Sequence, residues 1–457
     1  MIDGLEIKEC KFSEVLQSTN YFRLEADFFT AENLQGDNIV LAEKYLTRVQ
    51  YGTSEFLNEE KKGYPILRLN EFESYFIKEP AKYCNIISQQ QYEDLKLHKG
   101  DVLICRTNGN PDFVGRAAVI MEDFDYAFAS YLFRVNVSDE ITPEYFVAYL
   151  QSKYGRIEID KNSMKGNQTN FSPAKLKDIK IPCFSHDFCL KITDKFNRAY
   201  DFQQCSKADY KLAEKILEES LCIKQISNDI VSIKSLSESF NISGRLDAEY
   251  YQPKYEQIEN QIASNSTVYN SCKIYDKNFN PNDDIIYQYI ELANVDLMGG
   301  IATPSSIIGK ELPSRARRLV KTGQIIISSI EGSLQSCALI TEQFNNAICS
   351  TGFFVLDSEK YNPETLLVLF KSEPIQELLK KRCSGTILTA ISKDELEKTP
   401  LPELDKGIQD QIAEKVQESF RLRKKSKELL DIAVKAVEMA IETDEETAIA
   451  WLKEQGV

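Results

Sequence analysis

Histidine is nearly absent from this chain, with only His98 and His186 among 457 residues. Neither stands at motif spacing from a carboxylate or a cysteine, so imidazole acid–base catalysis and metal ligation lack a second member, and polar loop roles are expected for both. The eleven cysteines are scattered, with no Cys-x-x-Cys pair. That excludes the usual zinc spacing and a disulfide framework, and leaves reduced, packed thiols. Also missing are a Gly-x-x-x-x-Gly-Lys loop, a Gly-x-Gly-x-x-Gly turn, a Gly-x-Ser-x-Gly elbow and the Asn/Asp-Pro-Pro-aromatic loop by which amino-methyltransferases hold a flipped base. Catalysis is therefore not expected to reside here. No run approaches the roughly 20 apolar residues of a membrane span, and Met1 to Lys8 has neither the basic nor the apolar region of a signal peptide. A cytoplasmic protein is expected. Basic charge is in deficit, 55 Lys and Arg against 70 Asp and Glu, for a net of −15, the reverse of the footprint of a free-standing nucleic-acid binder.

What the chain does have is the same text twice. Arg245-Leu-Asp-Ala-Glu-Tyr-Tyr251 follows a weaker version, Arg23-Leu-Glu-Ala-Asp-Phe-Phe29, at an offset of 222 residues. Arg68-Leu-Asn70 matches Glu291-Leu-Ala293, and Gly100-Asp-Val-Leu-Ile-Cys105 matches Gly323-Gln-Ile-Ile-Ile-Ser328, both at 223. The offset then holds at 220 for Thr142-Pro-Glu144 on Asn362-Pro-Glu364, Leu176 on Leu396, Ile181-Pro182 on Leu401-Pro402 and Ile192 on Ile412. One offset kept through separate blocks marks an internal duplication. With 42% hydrophobic and 10% aromatic residues, the chain is long enough for two or three domains with cores of their own.

Each copy reads as a mixed α/β globule followed by a helix. In the first, apolar runs at Tyr64–Leu69, Asp101–Cys105, Ala117–Met121 and Tyr131–Val137 sit between turn signals, as strands do; Pro143 opens a helix through Tyr149. In the second, the strands fall near Ile286–Leu292, Gln324–Ser329, Cys337–Thr341 and Gly352–Leu356, with a helix at Pro363–Phe370. Beyond Pro182 and Pro402, about 35 residues of helical pattern follow in each copy. Ile192, Phe196, Ala199, Gln203, Tyr210, Ala213 and Leu217 form one stripe; Ile412, Val416, Ser419, Leu430, Val434 and Val437 form the other. Such a helix can pack on its own domain. Two of them, one per repeat, are expected to pair as an antiparallel coiled coil, with Ile192, Phe196, Tyr210, Leu217, Ile412, Val416, Leu430 and Val434 as its seam and as partner-docking positions.

The phrase Gly244-Arg245-Leu246-Asp247-Ala248-Glu249-Tyr250-Tyr251-Gln252-Pro253-Lys254-Tyr255, the Gly-Asp-Val-Leu-Ile turn at Gly100, the Thr399-Pro400-Leu401-Pro402 turn with Gln411-Ile412 after it, and the tandem layout together resemble the specificity subunits of type I restriction-modification systems. The resemblance covers nearly the whole chain. The first copy departs from it at Cys183-Phe-Ser-His-Asp187, where family members have a proline-rich, glutamine-containing turn, so the start of the first long helix is less sharply marked. The resemblance implies two target-recognition domains, at 1–183 and 229–403, each reading half of a split, asymmetric site in double-stranded DNA. Spacer helices at 184–228 and 404–445 and a short tail at 446–457 complete the layout. It further implies that the helices act as a ruler and dock two methylase subunits, which carry S-adenosylmethionine, and through them the restriction subunits. This chain would hold no cofactor, metal or catalytic residue, and no membrane contact.

Candidate DNA contacts follow from local charge. Arg106, Asn108, Asn110 and Arg116 surround a glycine-containing loop at a strand end, mixing arginine and amide groups able to read guanine and adenine edges. An ordinary polar turn explains them as well. Lys161, Lys165, Asn167 and Gln168 form a second polar loop, whose counterpart holds Arg382 and Thr386; in the family that loop lies near DNA. Lys310, Arg315, Arg317 and Arg318 form the densest basic cluster, either phosphate-contacting or a solvated surface loop. Two other readings stay open. The negative charge favours an acidic tandem adaptor, or inactive paralogue, that binds protein partners without reading DNA. An enzyme with an unfamiliar site would centre on Asp101 and Glu331-Gly332, which serve equally as turn residues.

Overall fold

The computed structural model describes residues 9, 11–17, 34, 38–164, 168–223, 226, 230–262, 264–297, 299–385 and 389–455; the first copy of the repeated phrase, Arg23 to Phe29, lies outside them. Two compact units are formed, Met1–Gln203 with Arg423–Val457, and Gln204–Leu422. These do not follow the expected spacer boundaries, because each unit takes half of both long helices into its own core. The segment expected as a short tail is helical from Glu445 to Glu454, capped by Asp444, whose carboxylate accepts from Thr447 N, and held by buried Ala448 and Leu452.

Each unit is built on a four-stranded antiparallel sheet. In the first the order is Leu46–Tyr51, Leu132–Val137, Val102–Cys105, Ala117–Val119. In the second it is Lys273–Tyr275, Phe353–Asp357, Ile325–Ser328, Cys337–Leu339. Val102–Cys105 and Ile325–Ile327 are apolar at every position because both faces are covered. Val102 and Ile104 enter the core shared with the helices, while Leu103 and Cys105 enter a second core on the opposite face. Ile325 and Ile327 are divided from Ile326 in the same way. A continuous apolar run bounded by turns is what a strand buried on both faces requires.

The second core in each unit is closed by a small sheet with a parallel pair at its centre, Tyr64–Leu67 beside Ala127–Phe128, and Ile286–Ile290 beside Ile348–Ser350. Here the repeats diverge. The second unit adds an edge strand, Ala316–Leu319, at the offset where the first unit has the helix Gln89–Leu95. The basic cluster Arg315 to Arg318 thus lies along a sheet edge and not in a loop.

Elsewhere the two units share the same turn and helix-cap geometry. Gly100 and Gly323 turn the chain into the central strands with φ of +88° and +82°, and a Cβ on either would meet only the following helix's proline, Pro143 or Pro363, at 3.8 Å. Thr142 and Asn362 cap helices Pro143–Gln151 and Pro363–Lys371 by accepting from Tyr145 N at 3.2 Å and Thr365 N at 2.8 Å. The carbonyl of the proline that ends each globule accepts a tyrosine hydroxyl at 2.7 Å from different positions, Pro182 from Tyr145 inside its helix and Pro402 from Tyr361 just before the cap.

The long helices run His186–Leu221 and Lys406–Glu442, 36 and 37 residues. Within each unit they lie antiparallel where they touch. In the first unit Ser426 Oγ donates to Ala199 O at 2.7 Å, while Ser185 N, just before one helix, bonds Glu445, just after the other, at 2.9 Å. In the second, Ser206 Oγ donates to Ser419 O at 2.8 Å, and Asp209 pairs with Lys415 at 3.5 Å. Of the expected seam positions, all but Val434 are buried, so they form the chain's own core and offer no surface for a partner subunit. Part of that core belongs to the globule: the Phe196 ring lies 5.8 Å from Tyr75 and 6.1 Å from Phe76.

The single tryptophan, Trp451, packs at the margin of the first unit's core, so its fluorescence reports that unit, whereas helical circular dichroism reports both. Gly100→Ala meets free space but a left-handed backbone, and should cost about 1–2 kcal/mol. Gly155→Ala places a Cβ 2.0 Å from Tyr149 O and should cost at least about 3 kcal/mol, at the upper end of overpacking. Both are expected to lower the tryptophan-detected urea midpoint, and Gly323→Ala only the circular-dichroism one. Equal midpoints for Gly100→Ala and Gly155→Ala would contradict these assignments.

Candidate nucleic-acid interface

The two central strands end in equivalent crests. In the first unit Arg106 N bonds Tyr131 O at 2.8 Å and Arg106 O accepts from Phe171 N at 2.8 Å, after which Asn108 pairs with Thr169. In the second, Ser329 N bonds Gly352 O at 2.9 Å, Ser329 O accepts from Ile391 N at 2.8 Å, and Glu331 N bonds Thr389 O at 3.0 Å. The equivalence reaches the helix behind. Arg156 Nη1 donates to Val114 O at 2.8 Å, and at an offset of 220 residues Gln376 Nε2 donates to Leu334 O at 3.1 Å.

The first crest is cationic and aromatic. The Arg106 guanidinium lies over the ring of Tyr51 at 5.1 Å, with a long 3.4 Å bond to Ser130 O. Tyr51 and Tyr131 are 49% and 58% exposed, rings on which a partner's flat group could stack. Tyr51 is held there by Gly52, where a Cβ would stand 2.3 Å from Phe128 O. Neither tyrosine was singled out from the sequence, although an aromatic residue followed by a glycine at a strand end carried the signal. Arg116 lies over Phe113 at 4.0 Å and bonds Asp112 O at 3.3 Å. Burial first, and then the neighbouring Arg156 guanidinium, lower its pKa from the ordinary arginine value. The amides are partly engaged in the loop itself, Asn108 Oδ1 accepting from Asn110 N at 2.8 Å and Asn110 Oδ1 from Asp112 N at 3.0 Å.

The second crest has no counterpart to these cations. Ser329 stands for Arg106, Glu331 for Asn108, Ser336 for Arg116 and Gln376 for Arg156. The Glu331 carboxylate makes no hydrogen bond or ion pair among the described residues. A basic cluster of this unit lies at and just before the added edge strand: Arg315 and Lys310 are exposed, Arg317 Nε bonds Ser314 O at 3.2 Å, and half-buried Arg318 donates to Tyr275 O at 3.1 Å.

Two candidates point inward. The Lys161 side chain is 8% exposed, 4.0 Å from buried Glu158. Arg382, 7% exposed, pairs with Glu259 at 3.1 Å and stands 3.9 Å from Glu395. Both face carboxylates of their own unit; sequence could not show this for Arg382, since Glu259 is 123 residues away. Gln168 is exposed, while Lys165, Asn167 and Thr386 lie outside the described residues.

Asp101 proves to be structural. It is buried, 2.9 Å from the Arg134 guanidinium and 3.0 Å from His98 N. Arg134 also donates to Lys96 O at 2.6 Å and Asp94 O at 2.7 Å, as a buried charge must. Burial pushes the Cys105, Cys337 and Cys349 thiols up to about 12, which makes them packing groups and not nucleophiles at neutral pH. No cluster of three or more His, Cys, Asp or Glu able to hold a metal occurs among the described residues, and no helix there is long and apolar enough to cross a membrane.

Arg382→Ala should therefore lower the stability of the second unit by about 1–3 kcal/mol through the lost charge-assisted bond to Glu259, which keeps Lys381 at 2.8 Å, while Arg315→Ala on the exposed edge leaves stability within about 0.5 kcal/mol. Urea titrations followed by circular dichroism compare the two, and equal midpoints would contradict the inward placement of Arg382.

No family model matches the chain. It is 27% identical over 116 residues to the type I restriction enzyme EcoKI specificity subunit of Escherichia coli strain K12, an alignment spanning 25% of this chain and 25% of that protein. Among solved structures, the type I restriction-modification S subunit from M. genitalium overlays on 90% of this chain and 98% of its own at a TM-score of 0.41 and 12% identity. The HsdS subunit from Thermoanaerobacter tengcongensis overlays on 89% and 96% at 0.30 and 13%. Over the aligned quarter of its length, the chain is similar in sequence to a type I restriction enzyme specificity subunit.

Proposed function

We propose that the chain is the DNA-specificity subunit of a type I restriction-modification complex. Its two units each read one half of a bipartite, asymmetric site in double-stranded DNA, and the chain docks two methylase subunits and, through them, the restriction subunits. The observation that supports this reading best is the duplicated crest, one scaffold that repeats the main-chain bonds of Arg106 and Ser329 and whose half-buried strand ends carry different side chains. Constant main-chain geometry with variable tips is how a fold reads two different texts, since phosphate and main-chain contacts position while side-chain edges specify. The chemistry belongs to the partners. S-adenosylmethionine would be bound by the methylase subunits, and this chain would contribute the address.

The net charge of −15 favours the adaptor reading, but the crest of the first unit sets Arg116 beside Arg156 and holds Arg106 over Tyr51. Overall sign governs long-range steering, not what a local patch touches. A weak affinity of the isolated chain for DNA, raised on addition of the methylase, accords with both facts.

Exchanging residues 1–180 for the equivalent part of a relative should change one half of the sequence modified by the assembled complex and leave the other half intact. The modified motif, read from host DNA, decides this; a change in both halves at once would contradict separate reading by the two units. The purified chain with labelled cofactor is expected to transfer no methyl group, and transfer by the chain alone would overturn the proposal.

A further inference from the structure

Resting on that DNA-reading role, a sharper statement comes from comparing the crests with each other. We propose that they read opposite hydrogen-bonding edges, Arg106 a guanine in the first unit's half-site, and Glu331 the exocyclic amino group of a cytosine or adenine in the second's. Arg106 and Ser329 occupy one place in the fold, as do Asn108 and Glu331, fixed by the same main-chain bonds to the strand before and the turn behind. Two residues apart on one strand end, the first unit offers the Arg106 guanidinium, which only donates, where the second has Ser329, and the second offers the Glu331 carboxylate, which only accepts, where the first has Asn108. A carboxylate held against phosphates would be repelled, and Glu331 makes no ion pair among the described residues. The place in the fold must then face base edges, where amino groups are the donors available, cytosine N4 and adenine N6.

Arg106 stands two residues before Asn108, whose place Glu331 takes in the other unit, so at the same strand end it too is set against bases. Its guanidinium is already stacked on Tyr51, which restricts its rotamers and leaves the edge of the fork open apart from one long bond to Ser130 O. Guanine presents the matching pair of adjacent acceptors, O6 and N7. Tyr131 flanks Arg106 in the first unit, whereas Gly352 takes its place in the second, leaving room there for the shorter glutamate to approach a base pair closely.

Selection from a random duplex library by the full chain assembled with its methylase subunits tests this. The bound sequences of the wild type would be compared with those of Arg106→Ala and of the isosteric Glu331→Gln. Arg106→Ala should lower the preference for guanine at one position of one half by about 10- to 100-fold, with the other half untouched. Glu331→Gln should relax one position of the opposite half, because an amide donates as well as accepts. A loss of affinity spread evenly over all sequences would make Arg106 a phosphate contact and overturn the proposal, as would unchanged preferences in both variants. A first unit that fails to fold would lose its whole half-site, and Glu331→Gln in the other unit then decides alone. Should the wild type select no sequence at all, it is the DNA-reading role itself that fails.

Discussion

Two serine hydroxyls carry the constraint on which the rest of the chain depends. Ser426 in the first unit and Ser206 in the second each donate, from full burial, to a main-chain carbonyl of the facing helix. A hydroxyl can reach a backbone oxygen across a helix pair only when the backbones approach closely. The buried alanines of the contact, Ala199, Ala213, Ala433, Ala436 and Ala440, permit that approach. Such a bond adds only about 1 kcal/mol, but an unpartnered buried hydroxyl costs more than that, so a register that strands it is disfavoured. Register in turn decides which helical residues reach each globule. Ile192, Phe196, Leu430 and Val437 enter the core that also holds Val102, Ile104 and Phe133, and Ile412, Val416, Tyr210 and Leu217 enter the one that holds Ile325 and Ile327.

Most of this architecture was legible because it is local or repeated. Apolar runs between turns gave the strands, proline gave the helix starts, and a constant offset gave the duplication. The helical stripes were read correctly as buried, but a period of three to four residues does not say against what. The rings of Tyr75 and Phe76, more than a hundred residues away, supply part of the answer for Phe196. The same limit explains the misplaced cations. Lys161 and Arg382 look like surface groups in a polar loop, and only Glu158 and Glu259 show them to be inward. The edge strand at Ala316–Leu319 escaped notice because Arg315, Arg317 and Arg318 interrupt its pattern, as charged residues on strand edges do.

The crests show why a duplicated scaffold need not give a duplicated surface. Arg106 gives way to serine, Tyr131 to glycine and Asn108 to glutamate while the main-chain bonds of Arg106 and Ser329 to the neighbouring strand and to the segment behind are the same, so these side chains are not what joins the strand end to its neighbours. Residues without a structural duty can vary, which is what two different recognition texts demand. Asp101 and its counterpart Gln324 illustrate the opposite case. Both are buried at the base of the turn, tied to Arg134 in one unit and hydrogen-bonded to the Asp357 carboxylate at 3.4 Å in the other.

The central claim is that this chain supplies the address for a modification carried out by other subunits. Sequencing of modified bases in the host genome, with the gene intact and with it deleted, tests that most directly. The account requires one methylated motif, split in two unlike halves by an unspecified spacer, that is present with the gene and lost without it. Identical patterns of methylation in the two strains would contradict it.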